Sequence, residues 1–204
     1  WIGDKDWPNL TSEILALVDQ GLEIQRCEDL RSYTKLIHAL ERWPDAFIVT
    51  ADDDQYYPGD WLRGLVSAHD PARPAILCRR ALGPRRHRDG RMMPYATWER
   101  DVPALADPER DSIFPTGVCG VLYPPGALSP EVTDRNLFRK LAPTEDDLWF
   151  YWMGRRAGSV YRRVGPDFVQ VIWPGSQESS LISFNAQGET DAQIRRLEER
   201  FGFV

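Results

Sequence analysis

A chain of 204 residues, 42% hydrophobic and 27% charged, has the apolar content to bury one sizeable core and the length of a single domain. Its net charge of −6 supplies no broad basic footprint, which argues against a general nucleic-acid binder. Cys27, Cys78 and Cys119 are odd in number and widely spaced, so they make neither a disulfide framework nor a CxxC metal pair and favour a reducing compartment. No apolar run approaches the ~18 residues that cross a bilayer.

Residues 10–19 carry Leu10, Ile14, Leu15, Leu17 and Val18 at roughly helical spacing, and Gly21 is placed to stop that helix. "LEIQRC" (22–27) reads as a strand. Ser32 is a candidate cap for a helix with the stripe Tyr33, Leu36, Ile37 and Leu40, broken at Pro44 and Asp45. "AFIVT" (46–50) is apolar almost throughout, as expected of a central strand covered on both faces. Pro58 suits the first turn of a helix carrying Trp61, Leu62, Leu65 and Val66, and "PAILC" (74–78) is the next strand. This alternation predicts an α/β fold with a largely parallel sheet.

Residues 79–115 lose the periodicity and read as a long surface excursion rich in arginine and proline. "GVCGVLYPP" (117–125) is glycine-rich and then strand-like. A helix is expected from Glu145 to Ala157, ended by Gly158. Short strands near 159–164 and 168–172, a loop over 174–189 and a closing helix in "DAQIRRLEERF" complete the reading.

Two acidic clusters stand out. Asp52, Asp53 and Asp54 follow the strand 46–50 directly, and in open α/β sheets ligands bind beyond the carboxyl ends of strands. Adjacent carboxylates repel, so a bound cation of the Mg²⁺ or Mn²⁺ type is one explanation and a solvated turn is the other. A haloacid-dehalogenase-type phosphatase is disfavoured, because Gln55 and Tyr56 follow where that motif wants a threonine. The second cluster, Glu145, Asp146 and Asp147 after Thr144, opens a helix. Thr144 as cap and acids on the helix dipole account for it structurally, and a general base facing a cleft accounts for it functionally.

In order along the chain, "RSYTKLIHAL" (31–40), "IVTADDDQYYPGDWL" (48–62), "TGVCGVLYPP" (116–125), "EDDLWF" (145–150) and "FNAQGETDAQI" (184–194) resemble the GT-A-fold nucleotide-sugar glycosyltransferases. The nearest likeness is to family-two-like enzymes of bacterial capsule and surface-polysaccharide synthesis. The resemblance implies one GT-A-like (Rossmann-like) domain over 1–204, a mixed sheet flanked by helices, with the first strand missing from the chain. It implies an inverting, hexosyltransferase-type enzyme using Mn²⁺ or Mg²⁺, a nucleoside-diphosphate sugar donor and a saccharide or glycolipid acceptor. The setting is cytoplasmic, or the inner face of the membrane.

Residue by residue, Asp54 resembles the metal ligand. Asp52 reaches the donor ribose, or the metal through water. Asp53 supports them. Lys35 stands where such enzymes contact the donor nucleotide, and Arg80 is placed to face the diphosphate. Asp146 and Asp147 resemble the catalytic pair: counting back from Gly158 favours Asp147 as base, while capping-box logic favours Asp146. Tyr95, Trp98 and Tyr123 are candidate stacking surfaces for an acceptor, and Gly117 and Gly120 allow close backbone approach. Arg79, Arg85, Arg86, Arg88 and Arg91 with His87 read as a solvated surface or a patch for an anionic partner. No late histidine is present as a further metal ligand. The open strand edge expected from the missing strand invites self-association. A non-catalytic sugar- or nucleotide-binding module and a nucleotidyltransferase are the competing readings.

Overall fold

The structure of the chain, a computed structural model, describes residues 1–103, 113–166, 170–174 and 188–204. Its centre is a four-stranded mixed sheet. β3 (Ile48–Thr50), β8 (Val121–Tyr123), β5 (Ile76–Cys78) and β9 (Tyr161–Arg163) lie side by side in that order. β8 pairs antiparallel with both β3 and β5, and β9 pairs parallel with β5. Three strands thus run one way and one runs against them, so the sheet is mixed rather than largely parallel.

Alternate residues of these strands serve opposite layers, as the pleat requires. Ile48, Ile76, Cys78, Val121 and Tyr123 face the larger core beneath α2 (Thr34–Arg42), α4 (Arg135–Leu141), α5 (Asp146–Arg156) and α6 (Glu189–Phe201). Val49, Leu77 and Leu122 face a smaller cluster with Leu65 of α3 (Trp61–Ser67). Two layers of helix on one sheet make a single compact α/β domain. α5 is apolar nearly all round: Leu148, Trp149, Phe150, Tyr151, Trp152 and Met153 are all buried, as expected of a helix enclosed on every side.

The chain's first part is less regular. The stripe at 10–19 shrinks to α1 (Ser12–Ala16), capped by Thr11, whose Oγ1 accepts from Ile14 N at 3.4 Å. Ile14, Leu15, Leu17 and Val18 are exposed rather than packed. Gly21 does end the segment in the left-handed region, at φ +102°. The strand expected over 22–27 reduces to β2 (Arg26–Cys27), which pairs parallel with β1 (Ile2–Gly3), so the opening "WIG" finds its neighbour there. Ser32 caps nothing; the turn into α2 is closed by Thr34, whose Oγ1 accepts from Leu30 N at 2.9 Å.

Strand β3 is an edge strand among the described residues, not a central one. Phe47 beside it is half exposed, and an apolar groove of about 440 Å³ runs along that side, lined by Phe47, Val49, Leu62, Val66, His69 and Leu122. β4 (Gln55–Tyr56) leaves the sheet and pairs antiparallel with β10 (Val171–Ile172). The stretch 79–115 is not a surface excursion throughout: β6 (Ala81–Leu82) pairs with β7 (Phe114–Pro115), and Met92, Trp98, Val102 and Ile113 are buried with them. Aromatic side chains without helical or strand periodicity gave no sign of this. Part of that stretch, the loop over 174–189 and "FNAQG" at 184–188 fall largely outside the described residues.

Candidate functional site

The carboxyl ends of β3, β5 and β9 and the amino end of β8 lie on one side of the sheet, as the register fixes. The first turn of α5 arrives at the same place. Asp52 comes from beyond β3, and Asp146 and Asp147 open α5. Lys35 of α2 joins them: its Nζ lies 3.1 Å from Asp52 Oδ1 and 3.1 Å from Asp146 Oδ2. Burial alone would depress the lysine, but the carboxylates of Asp146, Asp147 and Asp52 more than reverse this and hold it well above the ordinary lysine value. Lys35 is therefore a fixed cation that joins Asp52 of the first acidic cluster to Asp146 of the second.

Asp147 is held differently. Its Oδ2 accepts from the backbone N–H of Gly117 at 2.9 Å. Burial first, then the charge of Asp146, push its carboxyl up to about 7, against the opposing pull of Lys35 and the Gly117 hydrogen bond. Gly117 closes the site from the β8 side. A Cβ there would stand 2.7 Å from Lys35 Nζ and 2.9 Å from Asp147 Oδ1, so a side chain at this position would displace one or both.

The helix start is not the capping arrangement that the spacing suggests. Glu145 occupies the N-cap with no side-chain cap bond. Thr144 instead meets α6: its N–H donates to Gln193 Oε1 at 3.1 Å, and its Oγ1 accepts from Gln193 Nε2 at 2.7 Å. Glu145 accepts from Thr190 Oγ1 at 2.6 Å, and burial raises its carboxyl to about 7. Neither aspartate is consumed by capping, and both sit in the first turn, where the helix dipole favours negative charge. That removes the argument for Asp146 as the free member. Asp146 is the one committed to Lys35, and Asp147 is the more open to solvent.

Tyr57 and Trp61 are structural members of the site that the sequence reading missed. The Tyr57 hydroxyl accepts from Asp52 N and from Gln55 Nε2, each at 2.8 Å, and donates to Val118 O at 3.2 Å. It pins the aspartate turn to the segment before β8. Trp61 Nε1 donates to Cys119 O at 2.8 Å. Its ring lies over Gly120, which sits at φ +92° and whose Cβ would come within 2.4 Å of that ring. Gly120 thus serves packing and backbone conformation, not ligand approach. The adjacent tyrosine and the Pro-Gly turn in "QYYPGDW" were the available signal.

Other expected residues fall elsewhere. Arg80 is engaged by Asp101 at 2.7 Å. Trp98 is 2% exposed and donates its Nε1 to Met93 O, and Tyr123 is 5% exposed; both are core and present no face to a sugar. Tyr95 is partly buried against the same core, with the Arg100 guanidinium over its ring. The arginine-rich stretch is partly internal too: Arg79 is buried between Gly64 and Gly165, and Arg86 bonds the backbone oxygens of Gly90 and Val204. Asp53 is exposed on the turn. Asp54 is partly buried, and its carbonyl accepts from Trp173 N at 2.8 Å.

Among the described residues, no three His, Cys, Asp or Glu side chains gather into a metal-ligating group. Asp52 is paired to Lys35, and Asp54 and Asp53 are the other carboxylates of the turn. One or two carboxylates suit a Mg²⁺- or Mn²⁺-type ion that takes its remaining ligands from phosphate and water, and do not suit a closed protein cage. No helix of the described residues is long and apolar enough to cross a membrane.

Fold and site together define an α/β chain with paired acidic clusters gathered round a lysine at the carboxyl edge of a mixed sheet. Among known proteins the chain matches no family model, no curated protein and no solved structure.

Proposed function

We propose that this chain is a metal-dependent, inverting glycosyltransferase of the GT-A kind, moving a sugar from a nucleoside-diphosphate donor to a saccharide or glycolipid hydroxyl. The observation that carries the reading is the meeting of Asp52 with Asp146 and Asp147 around Lys35, although 94 positions separate Asp52 from Asp146. The shared cation brings the two acidic clusters into one site.

The geometry supports the following roles. Asp147, with its carboxyl raised to about 7, accepts the proton of the acceptor hydroxyl, since a base works best when poised near the working pH. The hydroxyl oxygen then bonds the anomeric carbon while the bond from that carbon to the diphosphate oxygen breaks. The nucleoside diphosphate leaves, and one displacement inverts the centre. Asp146 and Lys35 hold the base's surroundings fixed, and the Gly117 N–H aims its Oδ2. A Mn²⁺ or Mg²⁺ ion, when bound, would be held by Asp54 and would offset charge on the leaving diphosphate.

A non-catalytic nucleotide- or sugar-binding module is the second reading, favoured by the degree to which Lys35 already satisfies the carboxylates. A donor screen that reads nucleoside-diphosphate release in Mn²⁺ separates them. The enzyme reading expects turnover with at least one nucleotide sugar and its loss in Asp147→Asn. Binding of nucleotide or sugar with no turnover for any donor leaves the module, and turnover unchanged by Asp147→Asn removes the assigned base.

A further inference from the structure

Two half-exposed aromatic rings stand beside the acidic turn. Tyr56 ends β4, and Trp173 follows β10, in the ladder that pairs Tyr56 with Val171 and Gln55 with Ile172. Their ring centroids are 4.1 Å apart with planes 30° from parallel. Tyr56 is 47% exposed and Trp173 45% exposed, and the ladder's Val171 and Ile172 are exposed as well. The pair is tied to the aspartates through the backbone, because Trp173 N donates to Asp54 O at 2.8 Å.

We propose that Tyr56 and Trp173 form the platform on which the acceptor saccharide stacks, an assignment that rests on the glycosyltransferase reading. Three features select the ligand chemistry. Flat rings with a polar edge match a pyranose, which is apolar on its C–H face and polar round its rim. The neighbouring charge comes from the carboxylates of Asp53 and Asp54, which can accept hydrogen bonds from the hydroxyls of a neutral sugar. The core has already taken Trp98 and Tyr123, so this pair replaces them as the stacking surface. The saccharide is neutral and presents one unsubstituted sugar face.

The test uses the full chain on a printed array of neutral mono- to hexasaccharides, with calorimetry of nucleoside diphosphates in Mn²⁺ run in parallel. The wild type binds at least one printed saccharide. Trp173→Ala and Tyr56→Ala weaken that binding by about tenfold, the size of one stacking contact, and Trp173→Phe restores most of it. Nucleoside-diphosphate binding is unchanged in all three. Should Trp173→Ala fail to fold, Tyr56→Ala carries the same expectation. The proposal is overturned if the wild type binds none of the saccharides, if the alanine variants bind them as the wild type does, or if their nucleoside-diphosphate binding falls in step, which would make the platform a nucleobase site. Saccharide binding through Trp173 in a protein that binds no nucleoside diphosphate would overturn the glycosyltransferase reading and leave the platform standing.

Discussion

Replacing Asp147 with asparagine should make the protein more stable and less active at the same time. The carboxyl moves from the ordinary aspartate value of 3.8 to about 7 on folding. The folded state therefore keeps a proton that the unfolded chain releases near 3.8, so stability is greatest below that point and is lost as pH rises through about 7. Taken at face value, keeping Asp147 ionised at about pH 8 costs roughly 4 kcal/mol. Asp147 is partly open to solvent, and screening brings this to about 2 kcal/mol. Asparagine has the shape of the protonated acid, and its Oδ1 can still accept from the Gly117 N–H. Asp147→Asn should thus gain about 2 kcal/mol at about pH 8, or about 4–8 °C in Tm for a domain of this size, and the gain should vanish toward about pH 4. Urea denaturation of both proteins across that range reads the gap, and the donor assay reads activity, which should fall by about 100-fold or more. A variant no more stable than the wild type at about pH 8, or a gap that does not change with pH, would refute the reasoning.

Lys35→Met should do the reverse to the same cluster. Removing the shared cation leaves Asp52, Asp146 and Asp147 facing one another, at a cost of about 3–5 kcal/mol that shrinks below about pH 7 as Asp147 takes up its proton; equal denaturation midpoints for variant and parent would show that the lysine is not the organising charge. Gly120→Ala should cost about 2–3 kcal/mol, because the residue sits at φ +92° and its new methyl would stand 2.4 Å from the Trp61 ring, and thermal melting with tryptophan fluorescence measures it. Asp54→Asn should weaken nucleoside-diphosphate binding in Mn²⁺ by about tenfold or more, an effect that should disappear in EDTA; wild-type binding that is indifferent to EDTA argues against the metal role.

The parts of this architecture that were legible in the sequence are those set by one local pattern. The stripe Leu36 and Ile37 marked α2, the run Ile48–Thr50 marked β3, and Gly158 marked the end of α5. What was not legible depends on pairing between distant segments. Nothing in Val121–Tyr123 announces that the strand runs against both neighbours, and nothing in Phe47 says that it flanks an edge. The stripe at 10–19 looked like a buried face because the spacing of apolar residues reports what a helix could bury, not whether another layer arrives to cover it. Trp98 looked like a ligand surface for the opposite reason: a lone tryptophan between prolines and arginines carries no period, yet the β6–β7 pair folds over it.

The candidate site divides along the same line. Both acidic clusters were visible, because consecutive carboxylates at an element boundary are conspicuous without any tertiary information. Their relation was not, since it runs through Lys35 on a third element. The capping-box pattern at Thr144–Asp147 was misleading on a specific physical point. It assumes that the helix start must satisfy its own backbone groups, whereas Gln193 and Thr190 of α6 reach across to Thr144 and Glu145. Freed from that duty, Asp147 accepts from Gly117, and burial beside Asp146 raises it to about 7 despite that bond, while Asp146 remains with the lysine. Two adjacent carboxylates thus have different environments and can take different roles. The difference is made by a glycine and a lysine that lie 30 and 112 positions before Asp147.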